Sequence, residues 1–305
     1  MTGMIRLAGA LLIVLVTASA QAEEITLSVT PVGETLTLPA VLLKPAGDGP
    51  FPAIVMLHDC SGLGPRSSGA PRRWANELLP HGYAVLMPDS FTPRGLPNGT
   101  CTAGPEGRAA NGYVRAADAY GALAALRKLP FIDGRRIGVM GGSHGGWTIL
   151  AALVAPTQDG PLVAAKRDGF AAGLALYPRC DNRYGLWNVT RRDGERGPVT
   201  GYGGVYRTVA PLLILSGELD DWTPAEPCRV MVQRAQAAGQ PLELTIYPGA
   251  HHSFDSNSPV RFVAERGNPV SPTGKGATTG GNPEAWEEAK RQVPAFFART
   301  LKPAP

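Results

Sequence analysis

A mostly parallel, doubly wound α/β sheet flanked by helices is the fold class this 305-residue sequence predicts. Three observations predict it. Short, continuous apolar runs recur along the chain, as strands buried on both faces require. Stretches with helical periodicity separate them. One run ends in four glycines wrapped around a serine and a histidine, "VMGGSHGGW" at 139–147.

The elements follow in order. Residues 1–22, "MTGMIRLAGALLIVLVTASAQA", carry one arginine, an apolar run from Leu7 to Val16 and then small residues. That is the layout of a secretory signal peptide with cleavage after Ala20 or Ala22. The apolar run is short of the ~20 residues of a membrane span, so no stable membrane partner is expected. Residues 23–305 then form a single α/β domain, exported to the periplasm or secreted. "ITLSV" and "TLTLPAVLL" read as half-buried strands. Buried strands follow at 53–58, 83–89, 136–142, 171–178, 212–218 and 242–248, and helices at 72–80, 114–129, 145–155, 224–238 and 283–301. The last helix has Asn282 as N-cap and Pro283 in its first turn. Its stripe of Trp286, Ala289, Val293, Phe296 and Phe297 is core packing. Two polar, glycine-rich segments stand outside the alternation. Residues 181–208 are expected as a rim over a substrate pocket, and 255–281 as surface loop.

A net charge of +4 without a long basic run argues against nucleic acid as a partner. The four cysteines, Cys60, Cys101, Cys180 and Cys228, form no CxxC or CxxH pair, so no metal site is expected. In an exported chain they are disulfide candidates. Three pairings are open to sequence reasoning. Cys60–Cys101 and Cys180–Cys228 are expected, each fastening loops at the same sheet edge.

Gly141-x-Ser143-x-Gly145 matches the nucleophile elbow, a strand-to-helix turn that lifts a serine above the sheet. Positive φ at the serine calls for small neighbours. A base and a carboxylate should follow in the order Ser, Asp, His, at later strand ends. "LDDWTP" and "GAHHSFD" supply both. His144 beside the elbow has its side chain directed elsewhere and offers its backbone N–H.

"LHDCSGL", "LMPDSFTPRG", "GVMGGSHGGW", "SGELDDWTPAEPC" and "YPGAHHSFD" together resemble the dienelactone hydrolase family of α/β-hydrolases, over nearly the whole of 23–305. That family usually carries cysteine at the elbow; the serine here resembles an exported, serine-bearing branch. The resemblance implies the α/β-hydrolase fold and no cofactor. It assigns Ser143 as nucleophile, Asp220 rather than Asp221 as the acid, and His252 rather than His251 as the base. Asp221 would then cap the following helix, and His251 would be a partly buried loop residue. The resemblance also implies an oxyanion hole from the N–H groups of Cys60 and His144. Arg94, His58 and Trp147 are candidate substrate contacts. Against that, His58 and Asp59 would brace their loop, and Arg94 would pair with Asp89.

Where dienelactone-cleaving relatives carry a basic residue after "HSF", this chain has Asp255-Ser256, so their anion-binding pattern does not transfer. The expected substrate is a small carboxylic ester or lactone. The alternatives are a small-peptide or amide hydrolase of the same fold, in which a propeller or large cap is usual, and a non-catalytic binding module.

Overall fold

The computed structural model describes residues 21–32, 34–102, 105–157, 162–193 and 196–301. The expected leader lies outside these except for Gln21 and Ala22, which open the first strand. In chain order the elements are β1 (Gln21–Val32), β2 (Glu34–Lys44), β3 (Phe51–Leu57), α1 (Ala70–Leu78), β4 (Ala84–Pro88), α2 (Gly112–Leu126), β5 (Ile132–Gly142) and α3 (His144–Leu153). Then come α4 (Val163–Arg167), β6 (Ala172–Leu176), β7 (Asn188–Asp193), β8 (Arg196–Gly203), β9 (Leu212–Gly217) and α5 (Ala225–Ala237). The chain closes with β10 (Leu242–Tyr247), β11 (Arg261–Gly267), β12 (Lys275–Thr279) and α6 (Pro283–Thr300).

Eight strands form one sheet in the order β1-β2-β4-β3-β5-β6-β9-β10. The β1–β2 and β2–β4 pairs are antiparallel; every later pair is parallel. Strand alternation divides the apolar runs between two cores. Ala53, Val55 and Leu57 of β3 face α2 and α3, together with Ile137 and Val139 of β5. Ile54 and Met56 face the other way, onto Trp74 and Leu78 of α1 and Phe296 and Phe297 of α6. Both faces are therefore covered by helices, which is why these strands read as continuous apolar runs. Asn282 caps α6 by accepting from Ala285 N at 3.0 Å. Ala289, Val293, Phe296 and Phe297 are buried, with Trp286 packed at the core's edge.

Both irregular segments are hairpins. β7 pairs with β8 and β11 with β12, each antiparallel and outside the main sheet. Their strands are rich in glycine, arginine and threonine with little apolar alternation, so periodicity could not mark them. Among the described residues no helix is long and apolar enough to cross a membrane.

Candidate active site

Ser143 links β5 to α3 with φ 54° and ψ −113°, a conformation that non-glycine residues rarely adopt. Its N–H donates to Leu176 O of β6 at 2.9 Å. The turn is pressed against the end of β3. A Cβ at Gly141 would lie 2.4 Å from Leu57 O, and one at Gly145 only 2.3 Å. The elbow glycines thus permit a close approach as well as a sharp turn.

The structure brings Ser143, His252 and Asp220 together. His252 Nε2 is 2.9 Å from Ser143 Oγ, and His252 Nδ1 is 2.8 Å from Asp220 Oδ2. All three are buried. Asp220 Oδ1 accepts the backbone N–H groups of Trp222 and Thr223 at 2.9 and 2.8 Å. Its Oδ2 also lies 2.9 Å from Thr223 Oγ1, which sits 3.0 Å from both His252 Nδ1 and Tyr177 O. With four neighbours the carboxylate has no freedom to swing. The imidazole is held from both sides, its ring centroid 4.7 Å from those of Tyr177 and Trp222. Its backbone carbonyl accepts from Thr279 Oγ1 and Gly280 N, each at 3.0 Å. The β11–β12 hairpin, expected as surface loop, therefore anchors the histidine.

Asp221 is exposed and does not cap α5. It accepts from Thr278 N and Oγ1 at 2.7 Å each, tying β12 to the acid's loop. Pro224 occupies the N-cap position of α5 without a side-chain cap. His251 is half-buried and hydrogen-bonds Leu219 O through Nδ1 at 3.0 Å.

Cys60 and His144 line the same cleft as Ser143. Among the described residues no acceptor is paired with either backbone N–H, so both are free to meet an oxyanion. Cys60 is bonded to Cys101, and Cys180 to Cys228. The first disulfide clips the Cys60 loop to the segment before α2.

Beneath this pair lies a buried arginine that sequence reasoning missed. Arg115 of α2 donates to His58 O at 2.9 Å through Nη2, and its Nη1 is 2.7 Å from His144 Nδ1. One guanidinium thus ties the strand end leading to Cys60 to the side chain of His144. Its planar fork suits two acceptors held at a fixed separation. Burial lowers the Arg115 pKa to about 10, so it is charged at neutral pH. Burial and the Arg115 charge together hold both His58 and His144 well below the usual histidine value. Neutral His144 therefore accepts at Nδ1. Neutral His58 donates from Nδ1 to Asp59 O at 2.8 Å and accepts Ser90 N–H at Nε2 at 3.2 Å.

Of the candidate substrate contacts, only Trp147 lines the cleft. His58 is fully buried in the loop-bracing role. Arg94 neither lines the cleft nor pairs with Asp89. It forms a bidentate pair with Asp118 of α2 at 2.8 and 2.9 Å and donates to Ser90 O. Burial explains the choice of partner: Asp118 is inaccessible and demands a countercharge. Asp89 instead accepts the N–H groups of Phe91 and Thr92.

The cleft holds about 340 Å³ and is rimmed by Thr100, Cys101, Arg108, Asn111, Arg179, Trp222, Gly267 and Pro269. No described residue of 181–208 lines it, a correction to the expected rim. Tyr184, Trp187 and Tyr206 of that segment are buried in the core instead. Its link to the rim is indirect: Gly197 N donates to Pro269 O at 2.8 Å. Thr223 had a legible signal, since Asp-x-x-Thr places an N–H within reach of the aspartate. Arg115 had none beyond being a charge on an alanine-rich helix.

Fold and site together define a serine hydrolase of the α/β-hydrolase type. The chain belongs to the prolyl oligopeptidase family, whose model matches residues 73–265. Curated relatives include the uncharacterized peptidase YuxL of Bacillus subtilis, 27% identical over 48% of this chain and 23% of its own length. Another is dipeptidyl-aminopeptidase B of Aspergillus niger, 26% identical over 75% of this chain and 26% of its own. The chain thus spans about a quarter of the length of these relatives. Similar solved structures include a chain described as a dienelactone hydrolase from Klebsiella pneumoniae, with TM-score 0.62 and 20% identity over 92% of this chain and all of that one. Esterase 2 of Thermogutta terrifontis gives TM-score 0.58 and 18% identity over 92% and 97%. Dipeptidyl peptidase 4 of Porphyromonas gingivalis gives 0.59 and 19% over 92% and 36%. These likenesses establish the shared α/β-hydrolase fold.

Proposed function

We propose that the protein is an exported hydrolase of carboxylic esters or lactones, working through Ser143, His252 and Asp220. The observation that carries this is the unbroken relay from Ser143 Oγ through His252 to Asp220. Ser143 Oγ attacks the carbonyl as its proton passes to His252 Nε2. The N–H groups of Cys60 and His144 receive the negative charge that develops on the carbonyl oxygen. Asp220 holds the Nδ1–H tautomer and stabilises the imidazolium. His252 then protonates the leaving alcohol, and water releases the acyl group by the reverse path.

Peptide hydrolysis is the second reading, and family membership favours it. Charge in the cleft favours the ester. Among the described lining residues the charged side chains are Arg108 and Arg179, with no carboxylate to receive a peptide amino terminus. Turnover of p-nitrophenyl acetate and butyrate, lost in Ser143→Ala, is the expected result. A Gly-Pro p-nitroanilide cleaved faster than either ester would move the protein to the peptidases. A serine-directed phosphonate that leaves Ser143 unlabelled would make it a binding module.

The leader at 1–22 and the two disulfides support export. Intact mass of the protein recovered from the envelope or medium checks it. Cleavage after Ala20 or Ala22 leaves β1 its pairing with β2 from Glu23 onward.

A further inference from the structure

Behind the Cys60–Cys101 disulfide lies a second cavity, of about 480 Å³, larger than the cleft itself. Cys101 borders both spaces, and consecutive residues of β11 divide between them, Arg266 on the cavity and Gly267 on the cleft. Four arginines line the cavity: Arg66 before α1, Arg73 on α1, and Arg261 and Arg266 on β11. Two carboxylates, Asp59 and Asp255, also line it, and neither forms an ion pair with these arginines among the described residues. Asp59 accepts from Ser61 N, Ser61 Oγ and Ser68 Oγ. Asp255 accepts from Trp74 Nε1 at 2.7 Å and Tyr177 Oη at 2.8 Å, and burial pushes its pKa up.

Among the described residues none of the four arginines has an ion pair, whereas Arg94, Arg179, Arg191 and Arg229 do. Arg73 Nε and Arg266 Nη1 are buried N–H groups with no acceptor. Unsatisfied donors and crowded like charges are costly unless an anion meets them. The cavity exceeds the needs of a single small ion, and Asn98, Ser67, Ser256 and Ser258 add hydroxyl and amide partners around it. We propose that this cavity is a subsite for an acidic, hydroxyl-rich group of the uronate-sugar class, carried on the substrate away from the bond cleaved at Ser143. The assignment to substrate rests on the ester-hydrolase reading; the binding itself does not.

Two arms separate them. In the first, intact Ser143→Ala protein is titrated with D-glucuronate, D-glucose and inorganic sulfate at constant ionic strength. Glucuronate should bind saturably, glucose at least tenfold more weakly, and Arg66→Gln/Arg261→Gln should weaken glucuronate at least tenfold. Both positions are exposed, so the fold should survive their change. In the second, kcat/KM is compared for O-acetyl glucuronate and O-acetyl glucose. A preference of tenfold or more for the acid should vanish in the double variant, with p-nitrophenyl acetate turnover unchanged. Equal binding of glucuronate and glucose, or no binding, overturns the site. Sulfate binding as tightly as glucuronate overturns the sugar class. Selective binding without kinetic preference overturns its role as a substrate subsite. If neither ester is cleaved, the first arm still decides the site, and the hydrolase reading fails separately.

Discussion

Replacing Arg115 with methionine tests whether the guanidinium beneath the proposed oxyanion hole positions it or merely fills space. The variant strands His58 O and His144 Nδ1, two buried acceptors bound at 2.9 and 2.7 Å. An abandoned buried acceptor costs about 1–3 kcal/mol, so about 2–6 kcal/mol of stability is at risk. Burying the charge carries its own penalty, and the fall of the Arg115 pKa from 12.5 to about 10 puts that near 3 kcal/mol. Methionine removes that penalty, so the net change in a urea titration should lie between about 1 kcal/mol gained and about 3 kcal/mol lost. Catalysis has no such offset. Complete loss of one oxyanion donor costs about 3 kcal/mol in the transition state. Loosening both donors without removing either should lower kcat by about 10- to 100-fold, with KM within about threefold. Arg115→Lys reaches one acceptor at a time and should recover part of the loss. Removing the charge should also raise the His144 pKa, visible by NMR titration. A kcat within twofold of wild type, in a folded Arg115→Met protein, would refute a positioning role.

Acid should weaken the fold through His58 and His144, whose folded pKa values lie well below 6.5. The unfolded chain takes up these protons first, so their stabilisation is complete above pH 6.5 and drains as pH falls toward the folded values. The slope is up to about 1.4 kcal/mol per pH unit per histidine, measurable by urea unfolding at pH 7, 6 and 5. Opening Cys60–Cys101, which closes a separation of 41 residues, should cost about 4 kcal/mol by loop entropy. Paired alanine substitutions should show this, and should lower kcat more than opening Cys180–Cys228, because the first holds the Cys60 N–H. Gly145→Ala forces a methyl to 2.3 Å from Leu57 O. We expect at least about 2 kcal/mol lost in thermal unfolding; a neutral result would mean the elbow relaxes freely.

Much of this molecule is legible in its local sequence. Apolar runs buried on both faces identify the parallel sheet, because a strand sandwiched between helix layers has no polar face to alternate. The elbow is legible because its glycines answer a local demand, positive φ at Ser143 against the end of β3. Asp220 and His252 are legible as polar groups at strand exits, in an order that the elbow and the family resemblance supply. The hairpins at 188–203 and 261–279 were not, since each strand pairs only with its partner outside the main sheet and only isolated side chains, such as Val189 and Tyr202, reach the apolar core. Arg94 was misjudged because its nearest acid in sequence, Asp89, already accepts two backbone N–H groups.

Local pattern and backbone preference are enough to specify the layered α/β architecture, the elbow serine and the capped last helix. Which neighbour of each doublet faces inward is settled by packing between distant segments. Asp220 and Asp221 differ by one residue, but their side chains serve opposite sides of the loop, one on His252 and the other on β12. The same holds for Arg115 and for the four arginines of the second cavity. A buried charge declares its purpose through partners brought from distant segments, and no local pattern encodes a contact made across 29 or 57 residues.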